Sequence, residues 1–408
     1  MPIPNKTIKG NKLLNMVFQE FQKEKETISL IPSENIMSDL ATKMYCSRSN
    51  NRYVIPIKIE GKFFMPGREN LGNIITLLEE KLCSIYKTKY TIVKSLSGLH
   101  QMDIIMSTMR KITSNIITLD KFHGGHSKTR NIAVKYGFSI SHIKLDFDTW
   151  DVNYVELKKI IKQWKSEKAL IYIDHTITVN PLNIEKLLKI VPSNWIIYYD
   201  ISHLQLFYFS HIFNFPTHKN FFFGGTTHKT FPGPQKAIIL LNNKRLYTTI
   251  NKEFEKTISS IHTGSLLALL ITVIEMEKFG VKYAKNIISK TRYFAKLLSD
   301  ELRLVGPLPH FTNTHQICID VPNIIDVTKK LASVGIITMP ERTLSGKKQK
   351  GLRLGIQEQC RLGITKKDLS MLSGIIISCV NNKNIDKNIK NKVRALAKKL
   401  NSVHYVIH

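Results

Sequence analysis

The sequence lacks any apolar stretch approaching the roughly 18 residues that a membrane span needs. Its longest apolar run, Leu266 to Ile274, is closed by Glu275. No hydrophobic segment follows the N-terminus either: Met1 to Lys12 is polar, so no secretory signal is visible and a cytoplasmic protein is expected. Cysteine is sparse. The five thiols Cys46, Cys83, Cys318, Cys360 and Cys379 show no CxxC or metal-ligand spacing, and an odd number fits reduced, buried thiols better than disulfides or a metal site. Pro- or Gly-rich linkers and internal repeats are missing. Acidic residues are scarce: 31 Asp+Glu stand against 60 Lys+Arg, a formal charge of +29. Such a field attracts polyanions, but the excess is spread along the chain rather than gathered into an Arg-rich arm or an aromatic-interleaved stripe. At most weak, nonspecific nucleic-acid binding is expected. The densest basic stretch, Asn381 to Leu400 with Lys383, Lys387, Lys390, Lys392, Lys398 and Lys399, reads as a solvated helix.

What is present is enough to fold. With 408 residues, 43% of them hydrophobic, the chain can bury one large domain and a smaller satellite. Short apolar runs recur at Tyr90–Val93, Asn115–Leu119, Leu170–Ile173, Trp195–Tyr199, Phe221–Phe223 and Ala237–Leu241, and helical spacing lies between most of them, as in Tyr154–Trp164 and Ile184–Ile190. Strand alternating with helix predicts an α/β fold with a mostly parallel sheet covered on both faces, and ligands at the carboxyl ends of its strands. The flanks differ. Asn11–Glu26 reads as an amphipathic helix, giving an N-terminal arm over 1–30 and a large domain over 31–285. A long helix Asn286–Leu302, a strand Gln316–Val321 and a helix Ile325–Ser333 predict a smaller C-terminal α+β domain over 286–408.

The candidate chemistry sits just after the apolar runs. Asp200 follows Trp195–Tyr199 within Asp200-Ile-Ser-His203, and Gly224-Gly-Thr-Thr-His-Lys229-Thr-Phe-Pro-Gly233 follows the next run. A carboxylate, an imidazole and a lysine at successive strand ends are what pyridoxal phosphate requires. The carboxylate keeps the ring nitrogen protonated, so that the ring drains electrons from the substrate, and a sheltered lysine amine condenses with the aldehyde. Phosphate needs backbone N–H donors at a helix N-terminus, and Ser95-Leu-Ser97-Gly98-Leu99-His100 supplies a suitable turn. His123-Gly-Gly-His126 offers an imidazole to stack on the ring; as a metal site the pair lacks a nearby carboxylate or thiolate.

In order along the chain, these segments resemble the serine hydroxymethyltransferase family. Leu30-Ile-Pro-Ser33-Glu34-Asn35 is similar to its early Leu-Ile-Ala-Ser-Glu-Asn motif and Ser97-Gly98 to its phosphate turn. His123-Gly-Gly-His126 and Asp200-Ile-Ser-His203 are similar to its stacking-histidine and Asp-x-x-His motifs. Thr226-Thr-His-Lys229-Thr-x-x-Gly-Pro234 resembles its Schiff-base motif and Gly351-Leu-Arg353-Leu-Gly355 its late Arg motif. The resemblance implies the fold type I architecture of pyridoxal-phosphate transferases. It implies Lys229 as the Schiff-base lysine, Asp200 on the ring nitrogen, His203 near the phenolic oxygen and His126 stacked on the ring. Ser97, Gly98 and His228 would contact the phosphate, and Thr226 would complete the cofactor site. Arg353, helped by Ser33, would clamp the substrate carboxylate, and Tyr53 would come from a partner subunit, because such sites are built across a homodimer or a dimer of dimers.

The chain also departs from that pattern. The family's catalytic Glu, in its Tyr-x-Glu segment, meets Ile55 or Ile57, with Glu60 close but out of register. Two tyrosines become Phe64 and Met65, which relay no proton. Leu99 replaces a phosphate-binding serine, Gly233-Pro-Gln235-Lys236 replaces Gly-Pro-Arg-Gly, and Ser259-Ser-Ile-His262-Thr263-Gly264 stands for a glycine-rich loop. Met339-Pro-Glu-Arg342 takes the place of the loop that holds the folate pterin, and His175 stands about where a serine lies near the cofactor oxygen. The expected function is therefore a folate-independent aldolase or transaldolase acting on β-hydroxy-amino acids, with an amino acid and an aldehyde as substrates. The alternatives are an ordinary tetrahydrofolate-dependent glycine hydroxymethyltransferase, other pyridoxal chemistry such as transamination or racemisation, and a basic nucleic-acid-binding relative with a vestigial site.

Overall fold

The computed structural model describes residues 11–407 apart from 56, 60, 61, 64, 65, 165, 166, 343, 345–349 and 382–387. Glu60, Phe64, Met65, Lys383 and Lys387 lie outside the described residues.

The large sheet has seven strands: β1 (Tyr90–Ile92), β2 (Asn115–Leu119), β3 (Ser139–Ile143), β4 (Ala169–Asp174), β5 (Ile196–Asp200), β6 (Phe221–Thr226) and β7 (Ala237–Leu241). Their order is β1-β7-β6-β5-β4-β2-β3. β7 runs antiparallel to β6 and β1, and every other neighbouring pair is parallel. Strands β2, β4, β6 and β7 are buried along their whole length, as befits a sheet covered on both faces. β3 was not expected from the sequence: Ser139-Ile-Ser-His-Ile143 is an edge strand, half-buried over most of its length. The chain winds outward from β2 to β3, returns to β4 and then proceeds the other way through β5 and β6. The reversal between β2 and β4 opens a crevice at the carboxyl ends of these strands.

A second sheet, ordered β8-β9-β11-β10, is antiparallel throughout and joins β8 (Leu304–Val305), β9 (Gln316–Asp320), β10 (Met339–Arg342) and β11 (Lys350–Gly355). Of the helices, α1 (Lys12–Glu24), α2 (Gly98–Arg110), α3 (Ser127–Lys135) and α4 (Thr263–Ser299) bear on function. The helix expected from Asn286 begins at Thr263 instead, and the expected division at Lys285 falls inside its 37 residues. Helix α1 buries no residue and leaves Leu13, Met16, Val17 and Phe21 exposed. The basic tail forms a helix, Ile389–Lys399, which is not solvated all round: Val393, Leu396 and Ala397 are buried. Cys318, Cys360 and Cys379 are buried thiols, whereas Cys46 is exposed and Cys83 half-buried.

Candidate active site

Five connections converge on the crevice. After β1, Ser97 caps α2, its hydroxyl accepting from the His100 N–H at 3.2 Å. Serine suits this role because its oxygen satisfies an N–H that has no partner within the helix. A Cβ on Gly98 would lie 2.6 Å from the Thr226 methyl, so only glycine fits where α2 starts against β6. After β2, Gly124 adopts a φ of +97° and Gly125 passes so close to the Leu119 carbonyl that a Cβ would meet it at 2.2 Å. This tight double-glycine turn delivers His126 as the cap of α3, its Nδ1 accepting from Lys128 N–H at 3.2 Å. His123 turns away: its ring stacks on Phe147 at 4.9 Å and its Nδ1 accepts from Leu145 N–H.

After β5, the Asp200 carboxylate accepts from Ser202 N–H at 2.9 Å, and the Ser202 hydroxyl accepts from Thr226 N–H at 2.8 Å, tying the ends of β5 and β6 together. His203 is buried, with Nδ1 3.3 Å from His315 Nε2 and the two rings stacked at 5.4 Å. After β6 comes Lys229. Its carbonyl accepts from the Asn35 side chain at 2.7 Å, and Asn35 is itself held by the Tyr283 hydroxyl at 3.0 Å. Burial pulls the Lys229 ammonium down to about 8; Arg353 acts in the same direction, while Asp200 and Asp174 oppose it. About a tenth of the side chain is then a free amine at pH 7, far more than for an ordinary lysine, and that is the state a nucleophilic lysine needs.

After β4, two further residues enter the site: Asp174, and His175 at the position where the resemblance puts a serine near the cofactor oxygen. Asp174 is in register with Asp200 on the neighbouring strand. Burial holds its carboxyl well above the usual carboxylate range, and the negative charge of Asp200 adds to this. His175 follows; burial drives its imidazole down to about 3, leaving it neutral. Desolvation also lowers His126 and, strongly, His203, with Lys229 contributing in both cases, and brings His228 down to about 4. The result is a site of neutral imidazoles around one partly neutral lysine.

Of the expected site residues, Ser97, Gly98, His126, Asp200, His203, Thr226, His228 and Lys229 line one cavity of about 290 Å³, together with Asp174, His175 and Thr176. That size is near the lower end of small-molecule sites, which run from about 300 to 1,000 Å³. Both oxygens of Asp174, both ring nitrogens of His175, the Thr226 hydroxyl and His228 Nδ1 are buried without a hydrogen-bond partner. So many orphaned polar atoms around one cavity are expensive unless a polar ligand answers them. A substituted pyridine with a phenolic oxygen and a phosphate carries donors and acceptors of the right kind, so the residues present fit pyridoxal phosphate. A larger cleft of about 740 Å³ beside α1, bordered by Phe18, Gln22, Lys390 and Arg394, has none of the expected site residues in its wall.

Ser33, Tyr53 and Arg353 do not line the cavity. Tyr53 is exposed, as are Ile55 and Ile57. Arg353, on β11, is buried just behind the wall: one guanidinium nitrogen donates to the Thr176 carbonyl at 2.8 Å, and another lies 3.4 Å from the Glu341 carboxylate on β10. Sequence reasoning assigned no role to Asp174, His315, Asn35 or Glu341. His315 and Asp174 carry no local motif, whereas Asn35 and Glu341 lie in segments that had been singled out.

The fold and the orphaned groups define a pyridoxal-phosphate enzyme of fold type I. The family model described as serine hydroxymethyltransferase matches residues 8–376. The chain belongs to the serine hydroxymethyltransferase family; it is an enzyme, its cofactor is pyridoxal phosphate, and its chemistry is of the family's Cα–Cβ type. It is 26% identical over 400 residues to a serine hydroxymethyltransferase of Staphylothermus marinus, covering 94% of this chain and 90% of that one. It is 27% identical over 364 residues to an L-threonine:uridine-5′-aldehyde transaldolase of an Amycolatopsis species, covering 86% and 87%. Among solved structures, an L-threonine transaldolase from Pseudomonas fluorescens, in its internal aldimine state, has the same fold, with a TM-score of 0.87 at 21% identity over 97% of this chain and 92% of that one.

Proposed function

We propose that this protein is a folate-independent aldolase or transaldolase of β-hydroxy-amino acids. The observation that carries this reading is the contrast between the two sides of the site. The cofactor-binding strand ends converge, whereas the position of the family's catalytic Glu is taken by Ile55 or Ile57, both exposed aliphatic side chains that transfer no proton. Likeness to a transaldolase across most of the chain supports the same reading.

In this reading Lys229 holds the cofactor covalently, Asp200 keeps its ring nitrogen protonated and His126 packs on the ring face. Ser97, Gly98 and His228 contact the phosphate and Thr226 completes the cofactor site, with His203 toward the ring oxygen. Once bound, the cofactor withdraws the electron pair left at Cα when a bond to that carbon breaks. Arg353, with Ser33, orients the amino acid through its carboxylate. The active unit is a homodimer or a dimer of dimers in the cytoplasm, with Tyr53 reaching the neighbouring site. The bare apolar face of α1 supports such a partner, since contiguous exposed apolar surface marks an interface. No helix among the described residues is long and apolar enough to cross a membrane.

The test is to supply the holoenzyme with threonine and a second aldehyde, with no tetrahydrofolate, and to follow acetaldehyde and the new β-hydroxy-amino acid by mass spectrometry. Formation of both is expected. Serine cleavage that strictly requires tetrahydrofolate, with no product from threonine, would instead establish an ordinary hydroxymethyltransferase.

A further inference from the structure

Among the described residues, Ile55 and Ile57 offer no carboxylate where the family has its Glu, so the group that takes the proton of the substrate's β-hydroxyl must come from elsewhere. We infer that Glu341 fills that role: it is the acid–base group for the β-oxygen, held on Arg353 in the free enzyme and released when a substrate carboxylate takes its place. This rests on the function proposed above.

Glu341 lies on β10, whose neighbour β11 carries Arg353, and the two side chains meet at 3.4 Å. The Glu341 side chain keeps 21% of its surface exposed, whereas that of Arg353 keeps 6%, so the carboxylate is the more accessible partner. The Thr176 carbonyl helps to hold Arg353, accepting from a second guanidinium nitrogen at 2.8 Å. Glu341 also stands close enough to His126 for its charge to favour the imidazolium. Glu341 does not itself line the cavity, but Thr176, whose carbonyl holds Arg353, does.

In a β-hydroxy-amino acid the carboxylate carbon and Cβ are both bonded to Cα. A carboxylate that already touches the guanidinium needs only a rotation to come within hydrogen-bond reach of the β-hydroxyl once a substrate carboxylate occupies Arg353. In cleavage, the hydroxyl O–H bond breaks and its proton passes to Glu341. The electron pair closes the aldehyde C=O as the Cα–Cβ bond breaks, and the pair from that bond goes to Cα. With a second aldehyde the steps reverse: the Cα–Cβ bond forms and Glu341 returns the proton to the new alkoxide. Nothing is oxidised or reduced overall. Glu341 belongs to the Met339-Pro-Glu-Arg342 segment that replaces the family's pterin-holding loop, so the proton acceptor enters from the side where a pterin would be held.

Glu341→Gln in the holoenzyme is the test, read by kcat and KM for threonine cleavage and by glycine binding. Loss of the acid–base group should lower kcat by about 10²–10⁴-fold. KM and the glycine dissociation constant should fall, because a neutral amide competes less well for Arg353. Glu341→Asp should restore part of kcat. An unchanged kcat would overturn the inference, and so would weakened glycine binding, which would mark Glu341 as a support for Arg353. If the wild-type protein cleaves no β-hydroxy-amino acid, the proposed function has failed. The exchange on Arg353 is then still decided by glycine: equal or weaker binding to Glu341→Gln than to wild type refutes it.

Discussion

The two halves of the site are built differently. On the cofactor side, each group comes from the end of a strand in one sheet, and its position is set by short turns: Ser97 and His126 cap helices, Ser202 ties β5 to β6, and Asn35 braces the Lys229 turn. On the substrate side, Arg353 and Glu341 come from the second sheet, and Tyr53, Ile55 and Ile57 sit exposed on a loop. A strand end repeats one geometry, so chemistry placed there tolerates little change; a loop or an edge strand can be rewritten without disturbing the core. The comparison teaches that the proposed cofactor contacts are rigidly placed, whereas the groups proposed to choose the reaction lie on the more adaptable side.

Removing the lysine should have the largest effect on that picture. Lys229→Ala should abolish borohydride-dependent attachment of the cofactor, with peptide mapping of the wild-type adduct placing it on Lys229; an adduct on another lysine would break the cofactor half of the account. The wild-type lysine also predicts a pH dependence. Its ammonium is lowered to about 8, and only the neutral amine attacks an aldehyde. The rate at which cofactor-free protein takes up pyridoxal phosphate should therefore climb as pH rises toward 8 and level off above it. A climb continuing toward pH 10 would mean an unperturbed lysine.

Next in size is the contrast between the two neighbouring aspartates. In the proposed arrangement Asp200→Asn removes the charge that would hold the ring nitrogen protonated, and should slow exchange of the substrate α-proton with solvent deuterium by about 10²-fold or more. Asp174, whose carboxyl is held protonated by burial, should tolerate Asn, with cofactor affinity changing by less than about tenfold, the free energy of one pKa unit. Equal losses in the two variants would show both carboxylates to be charged.

On the substrate side, Arg353→Ala should leave cofactor attachment intact but weaken amino-acid binding by roughly 2–5 kcal/mol. Equal weakening toward an amine without a carboxylate would contradict the clamp. The smallest effect concerns the surface. The net charge of +29 should give weak nucleic-acid binding that is indifferent to sequence and falls steeply with salt. Tight, sequence-selective binding at physiological salt would require a dedicated site.

Much of the cofactor half was legible in the sequence because buried parallel strands read as continuous apolar runs and the groups that follow them share one edge of the sheet. Asn115–Leu119 and Ala237–Leu241 match their strands residue for residue. β3 escaped because three of its five residues are polar and it lies at the sheet's edge. The long helix escaped in part because Leu266–Ile274 is apolar on every side, which hides helical periodicity, and its real start follows His262, in the left-handed region at a φ of +54°. Asp174 follows the run Leu170–Ile173 just as Asp200 follows Trp195–Tyr199, but its pairing with Asp200 arises from the register of β4 on β5, which no local pattern shows. The Arg353–Glu341 pair likewise depends on antiparallel pairing across a stretch that reads as a basic loop.

The central claim, Cα–Cβ chemistry without folate, is tested most directly by the steady-state conversion of serine to glycine and formaldehyde with one holoenzyme preparation, in the presence and absence of tetrahydrofolate. The account predicts that the rate is the same under both conditions and that threonine is cleaved as well. A rate that vanishes without tetrahydrofolate and is restored by adding it would contradict the account.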